Sequence, residues 1–156
     1  MNYKIELKKT ELQPTLTMRE LHPVEKLPDF FGKAYGGIMI YLQEIGKAPC
    51  GMPFAVYYNM DMQALDIEVG FTVKEKLPGK DEIIAGEISA GKYISTVYRG
   101  PYDSMEPAYG ALTQWAEENG YTPSGIAYEY YLNDPDKNNG VIPITEIRFP
   151  VVKTKK

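Results

Sequence analysis

The sequence predicts an α+β fold: duplicated strand–helix–strand–strand units forming one antiparallel sheet with two helices on one face. Three observations predict it. Apolar and polar residues alternate at period two in short runs, as in half-buried strands. Two longer segments change to apolar spacings of three and four, as in a helix lying on a core. The order of elements then repeats, over about residues 1–76 and 82–152, within a single domain of 156 residues.

Tyr3, Ile5 and Leu7 alternate with Lys4, Glu6 and Lys8, which reads as a first strand. TLTMREL (15–21) follows Pro14 as a second. Between Pro28 and Gly46, Phe31, Tyr35, Ile38, Leu42 and Ile45 make one helical stripe, and Gly46 is placed to end the helix in the left-handed conformation. The Gly36-Gly37 pair inside it costs roughly 1 kcal/mol per Gly relative to Ala, so either the helix is loose there or something packs close to its backbone. PFAVYYN (53–59) and LDIEVGFTV (65–73) read as two strands around a DMQA turn. After the turn-rich LPGKDE (77–82) the pattern begins again, with strands 83–89 and 92–98 joined at Ala90-Gly91. A second helix covers about 104–119, with Met105, Ala108, Leu112, Trp115 and Ala116 along its stripe. Asp103 or Ser104 can cap its start, Pro107 is tolerated in the first turn, and Asn119-Gly120 stops it. The last strands are IAYEYYLN (126–133) and VIPITEIRFPVV (141–152), separated by the polar turn DPDKNNG.

The repeat is visible residue by residue. IEVGFTV (67–73) lies on TEIRFPV (145–151), matching Glu68 with Glu146, Phe71 with Phe149 and Val73 with Val151. If Ala55 is matched to Ala127, Tyr57 falls on Glu129. Units this small do not bury a sheet face alone, so the two copies are expected to share one sheet, leaving a groove between the halves on its second face. Alternation puts Ile147, Phe149 and Val151 under the helices and Glu146 on the opposite face with Ile144 and Arg148. It buries Ile67, Val69, Phe71 and Val73 and turns out Asp66 and Glu68. In IAYEYYLN, Ile126, Tyr128, Tyr130 and Leu132 share one face, and Glu129 with Tyr131 the other. Glu68, Glu129 and Glu146 are thus expected together in the groove with Tyr57 and Tyr131. One reading of three mid-strand carboxylates is a solvated sheet face that resists edge pairing. The other is an acidic, Tyr-walled ligand cleft between the halves.

Composition bounds the function. Tyr numbers 13, against 5 Phe and 1 Trp; a large ring with one polar handle suits a half-wet cleft, although antiparallel strands favour Tyr in any case. The net charge of −4 has the wrong sign for a domain that neutralises phosphates, so direct nucleic-acid binding is not expected. The single Cys, Cys50, rules out an internal disulfide framework. Together with the single His, His22, it leaves too few ligands for a usual zinc site. No glycine-rich phosphate loop is present and no cofactor is implied. No run reaches the roughly 20 apolar residues that span a bilayer, and MNYKIELKKTEL lacks a signal peptide's apolar core. A cytoplasmic protein is expected. His22 reads as a loop residue, and Cys50 lacks the basic surroundings of a nucleophile, Lys47 aside. The terminal KTKK is too short for a nucleic-acid arm. A Tyr-walled acidic groove attracts cationic aromatic ligands, with cation–π attraction of about 0.5–2 kcal/mol per ring beside a charge-assisted carboxylate contact. Burial there would also raise a Glu pKa and make it a general base toward water.

PFAVYYN, DIEVGFTV, YRGPYDSMEPAYGALTQW, IAYEYYLNDP and TEIRFPV together resemble the GyrI-like small-molecule-binding family, over roughly residues 3–152. That family includes effector-binding domains of bacterial multidrug-responsive and AraC-type regulators. The resemblance implies a duplicated fold around a ligand cleft, in which glutamates and aromatic side chains receive cationic hydrophobic compounds. By motif, the Glu of the E-x-Y segment falls on Glu129 and that of the T-E-I segment on Glu146. Arg148 departs from the pattern: it occupies a groove-facing position where an aromatic would suit a cation better, and a pairing with Glu146, which the sequence leaves open, would weaken a preference for cations.

The resemblance implies three readings. In the first, a stand-alone binding protein for drugs or toxins uses Tyr57, Glu68, Glu129, Tyr131 and Glu146 in sensing or sequestration, with Tyr109 and Trp115 reaching the cleft from the second helix. Trp115, Tyr109 and Tyr35 also suit the helix–sheet core. In the second, a hydrolase of cyclopropane-containing electrophilic toxins uses Glu129 or Glu146 as catalytic base and a Tyr hydroxyl as donor. The third is a protein-interaction module, such as a topoisomerase inhibitor, which leaves a protein partner open. With a first strand beginning at residue 3, no DNA-reading segment is expected in this chain.

Overall fold

Each half of the sequence forms its strands and helix close to where periodicity places them, but the first strand of each half pairs inside the other. The computed structural model describes residues 3–133 and 142–154; the DPDKNNG turn lies outside the described residues. The elements run β1 (Glu6–Thr10), β2 (Gln13–His22), α1 (Leu27–Glu44), β3 (Phe54–Tyr57), β4 (Leu65–Thr72), β5 (Ile84–Ile88), β6 (Gly91–Arg99), α2 (Glu106–Asn119), β7 (Tyr121–Pro123), β8 (Ala127–Tyr131) and β9 (Ile144–Lys153). The fold is α+β, and the registered strand pairings are antiparallel.

The chain divides into two compact units at Thr10/Glu11 and Ala90/Gly91. The unit of residues 11–90 has the strand order β3–β4–β2–β5 and carries α1. The other has the order β1–β6–β9–β8, with β7 also on β9, and carries α2. The units therefore do not follow the sequence repeat. β5 and β6, though joined at Ala90-Gly91, do not pair with each other in these registers: β5 pairs with β2, while β6 pairs with β1 and β9. Tight-turn chemistry at Ala90-Gly91 marked a break between strands correctly, but it does not say with whom each strand pairs.

In the 11–90 unit, Leu16 stands opposite Phe71 and Met18 opposite Val69. This face meets Leu27, Phe30, Ala34, Ile38, Tyr41 and Leu42, the buried stripe of α1. The stripe runs through Phe30, 2% exposed, rather than Phe31, and Phe30 packs on the His22 ring of β2 at 4.9 Å. Gly46 takes φ 69°, as expected of a left-handed helix stop. A Cβ added at Gly36 or Gly37 meets nothing within 4 Å, so close packing does not explain that pair.

In the second unit, Ile94 stands opposite Phe149 and Thr96 opposite Ile147. Ala108, Leu112 and Ala116 are the buried residues of α2. Truncating a fully buried Leu112 or Ile147 to Ala costs about 2–5 kcal/mol. Gly120, at φ 77°, donates its N–H to the Ala116 carbonyl and ends the helix. A 3-10 turn over Tyr102–Ser104 leads into the helix, with Met105 at the capping position and no side-chain cap among the described residues. The alternation expected of the first strand holds at Tyr3 and Ile5, half-buried beside exposed Lys4 and Glu6, and fails at Leu7. Leu7 is 39% exposed, and β1 is a charged edge strand, a form that resists further pairing. β7, too short and too Pro-bound for periodicity to reveal, adds three residues to β9.

Candidate functional site

Register decides which carboxylates share a face. β8 lies on β9 with Tyr128 opposite Arg148, Glu129 opposite Ile147, Tyr130 opposite Glu146 and Tyr131 opposite Thr145. Directly opposed residues project to the same side of a sheet. Glu129 and Tyr131 therefore share the side of Ile147 and Phe149, while Tyr128 and Tyr130 share that of Glu146 and Arg148. This reverses the expected phase of β8 and separates Glu129 from Glu146. The reason is chemical. In the run AYEYY three of the five residues are amphipathic Tyr, on both sides of the strand, so alternation of hydrophobicity does not fix which side is buried.

The Glu129 side carries α2. The Tyr109 ring meets Phe149 edge-on at 5.5 Å, and its hydroxyl donates to Glu129 Oε2. Tyr131 donates to Glu129 Oε1 at 2.9 Å, and Tyr102 lies edge-on to the Tyr131 ring at 5.8 Å. Glu129 is 7% exposed. Burial pushes its carboxyl pKa up, and the two tyrosine hydroxyls offset part of that rise. The folded protein thus holds the Glu129 proton more tightly than the unfolded chain. Its contribution to stability is greatest at acid pH and is lost as pH rises through the folded-state pKa. The result is a buried carboxyl group, bonded at both oxygens and bordered by Tyr102, Tyr109, Tyr131 and Phe149. It can compensate a cation held against the rings or take a proton from a bound water.

The opposite side of the same strands carries no free acid. Arg148 Nε donates to Glu146 Oε2 at 2.7 Å. Its guanidinium lies over Tyr130, 4.1 Å from the ring centroid, and near Tyr93 at 4.6 Å. Burial pushes the Tyr130 hydroxyl up to about 12. Arg148 thus pairs with Glu146, a point the sequence left open.

In the 11–90 unit, Glu68 stands opposite Val56 and Arg19 and accepts hydrogen bonds from Thr17 and Tyr58. Tyr57 stands opposite Ile67 on the other side, with α1, so Glu68 and Tyr57 are not brought together. The registers also correct the match of Tyr57 to Glu129. Val69 faces Ala55 as Ile147 faces Glu129, and Ile67 faces Tyr57 as Thr145 faces Tyr131. Ala55 is the equivalent of Glu129, and Tyr57 of Tyr131. Trp115 stacks on Tyr121 at 6.0 Å, about 9 Å along α2 from Tyr109.

Tyr102 and Thr145 were not singled out by the sequence. A usable signal was present in the helices: Ala34-Tyr35-Gly36 recurs as Ala108-Tyr109-Gly110 and aligns the two helix tyrosines. His22 is paired with Glu20 at 2.8 Å, and Cys50 is exposed, with its thiol on Thr72 Oγ1 at 3.5 Å. Two surface depressions are not lined by Glu129: one of about 390 Å³ beside α1, including Lys33, Tyr41 and Lys80, and one of about 250 Å³ on β1, β6 and β9, including Ser95 and Glu146. Among the described residues, no helix is long and apolar enough to cross a membrane.

The fold is that of a small-molecule-binding α+β domain. Residues 4–152 match the GyrI-like small molecule binding domain, and the chain belongs to that family. The C-terminal domain of EcmrR is 27% identical, with a TM-score of 0.79 over 99% of this chain and 100% of that one. Against EcmrR in its complex with DNA, at 27% identity and a TM-score of 0.77, the match covers 97% of this chain but 58% of that one. The chain thus spans little more than half the length of that protein. A hydrolase from Listeria innocua is 15% identical, with a TM-score of 0.71 over 96% of this chain and 92% of that one. SAV2435, solved bound to tetraphenylphosphonium, is 12% identical, with a TM-score of 0.65 over 97% and 94%. At these last two identities the likeness is one of fold. No curated protein matches the sequence.

Proposed function

We propose that the chain binds flat hydrophobic compounds, aromatic cations above all, at Glu129, in sensing or sequestration. The observation that carries this reading is a carboxyl group, 7% exposed, with Tyr109 and Tyr131 on its two oxygens. A cation among these rings gains about 0.5–2 kcal/mol per ring, and it meets a carboxylate whose burial otherwise costs stability. Glu146 does not serve a cation in the same way, because Arg148 already compensates it. The tetraphenylphosphonium complex of SAV2435, a protein of similar fold, supports the class of ligand. In a second reading, favoured by the raised Glu129 pKa, the same carboxylate activates water toward a strained electrophile such as a cyclopropane compound, with a tyrosine hydroxyl as donor.

The test is ligand-induced thermal shift on wild type and Glu129→Gln with tetraphenylphosphonium and a set of aromatic cations and neutral analogues, followed by product analysis. A cation at 100 times its Kd adds about 2.7 kcal/mol of stability. Glu129→Gln is expected to weaken cations at least about tenfold and neutral analogues little. Equal binding by wild type and variant overturns the assignment of Glu129, and hydrolysed products that depend on Glu129 favour the second reading.

A further inference from the structure

On the side of the sheet that bears Glu129, one polar atom has no hydrogen-bond partner among the described residues: Thr145 Oγ1, in a residue 0% exposed. Thr145 is directly opposite Tyr131 on β8 and Tyr98 on β6. Neither ring supplies its hydroxyl to Thr145. Tyr131 donates to Glu129, and Tyr98 donates to the Pro101 carbonyl at 2.8 Å. A buried hydroxyl is ordinarily satisfied, because leaving water without a new partner is unfavourable. Here the unmatched group lies on the diagonal from Glu129, beneath the tyrosine that holds Glu129.

Resting on the reading of Glu129 as the ligand site, we infer that Thr145 is a specificity-determining contact of that site, selecting aromatic cations with a hydrogen-bonding amine or hydroxyl roughly 7 Å from the group that meets the carboxylate, the diagonal spacing of an antiparallel pair. Thr145 both donates and accepts, so either substituent satisfies it. A purely hydrocarbon cation satisfies Glu129 and leaves Thr145 unmatched. Sites that hydrogen-bond a ligand group discriminate strongly against analogues that lack it.

The experiment compares N-methylacridinium with its diamino derivative, two cations of one shape that differ in hydrogen-bonding groups, by calorimetry on wild type, Thr145→Val, Thr145→Ser and Glu129→Gln. Thr145→Val is expected to weaken the diamino cation about fivefold, the worth of one neutral hydrogen bond, and to leave the unsubstituted cation within about twofold. Thr145→Ser keeps the preference. The Val variant removes an unpartnered hydroxyl, so its thermal midpoint is expected at or above that of wild type. Equal loss for both cations, or loss for neither, overturns the role of Thr145 while Glu129→Gln still weakens both. If Glu129→Gln weakens neither cation, the reading of Glu129 falls, and with it the inference drawn on it.

Discussion

The two units each set a helix tyrosine on a strand phenylalanine and differ in what the tyrosine hydroxyl meets. In the second, the Tyr109 ring lies on Phe149 at 5.5 Å and its hydroxyl reaches the Glu129 carboxylate. In the 11–90 unit, the Tyr35 ring lies on Phe71 at 5.4 Å and its hydroxyl donates to the Phe54 carbonyl at 2.9 Å. Where Glu129 stands opposite Ile147, Ala55 stands opposite Val69. The comparison teaches that the helix tyrosine needs an acceptor but not a carboxylate. A neutral backbone oxygen suffices for the fold, so the acid of the second unit answers to something other than packing. The far sides differ too. Arg148 matches Gly70, where a Cβ would approach the Leu16 carbonyl oxygen to 2.0 Å. The 11–90 unit has no room for a guanidinium there, and Glu68 is met by Thr17 and Tyr58 instead.

The most severe way to break this comparison is to give the 11–90 unit the missing acid. Ala55→Glu at a residue 0% exposed is expected to cost about 3–5 kcal/mol near neutral pH. The buried carboxyl would titrate above its unfolded value, so the penalty shrinks as pH falls toward the ordinary glutamate range. Urea unfolding at two pH values measures both; a loss below about 1 kcal/mol would mean that either unit hosts an acid equally well. A sharper and smaller contrast is Tyr109→Phe against Tyr35→Phe. The first removes a donor from a carboxylate and is expected to cost about 1.5–3 kcal/mol; the second breaks a neutral bond and costs about 1 kcal/mol. The Tyr109→Phe loss should grow as pH rises, because the lost hydroxyl favoured the ionised form of Glu129, while the Tyr35→Phe loss stays flat. Smallest of all, Gly36→Ala and Gly110→Ala occupy equivalent helix positions where an added Cβ meets nothing within 4 Å. Each is expected to gain about 0.5–1 kcal/mol, equally in the two units. A loss at one of them would reveal crowding that its twin lacks.

Helices were the most legible part of the sequence. Ile38 and Leu42 in α1, and Ala108, Leu112 and Ala116 in α2, are buried as their spacing requires, because a helix face is set by local periodicity. The match of Phe71 to Phe149 was legible from the internal repeat and places both under a helix tyrosine. Two things were hidden. The phase of β8 was one, since tyrosines suit either side of a sheet and a buried Glu129 contradicts hydrophobic alternation until its two hydroxyl donors are known. Strand partnership was the other: nothing within residues 83–89 tells whether β5 meets β6 or the more distant β2. Glu129 was therefore found as a residue of interest by motif, whereas its surroundings came from register.

The reciprocal lending of first strands also sets an order of events during synthesis. Glu6 of β1 ends opposite Ser95 of β6, so β1 finds its partner only after the long stretch of chain between them has been made. At typical translation rates that wait is roughly 5–20 s. An apolar strand left alone so long would invite capture by other nascent chains. Lys8, Lys9 and Glu6 keep β1 hydrated through the delay, and the exposure that excluded it from the core in the finished protein is what lets it wait.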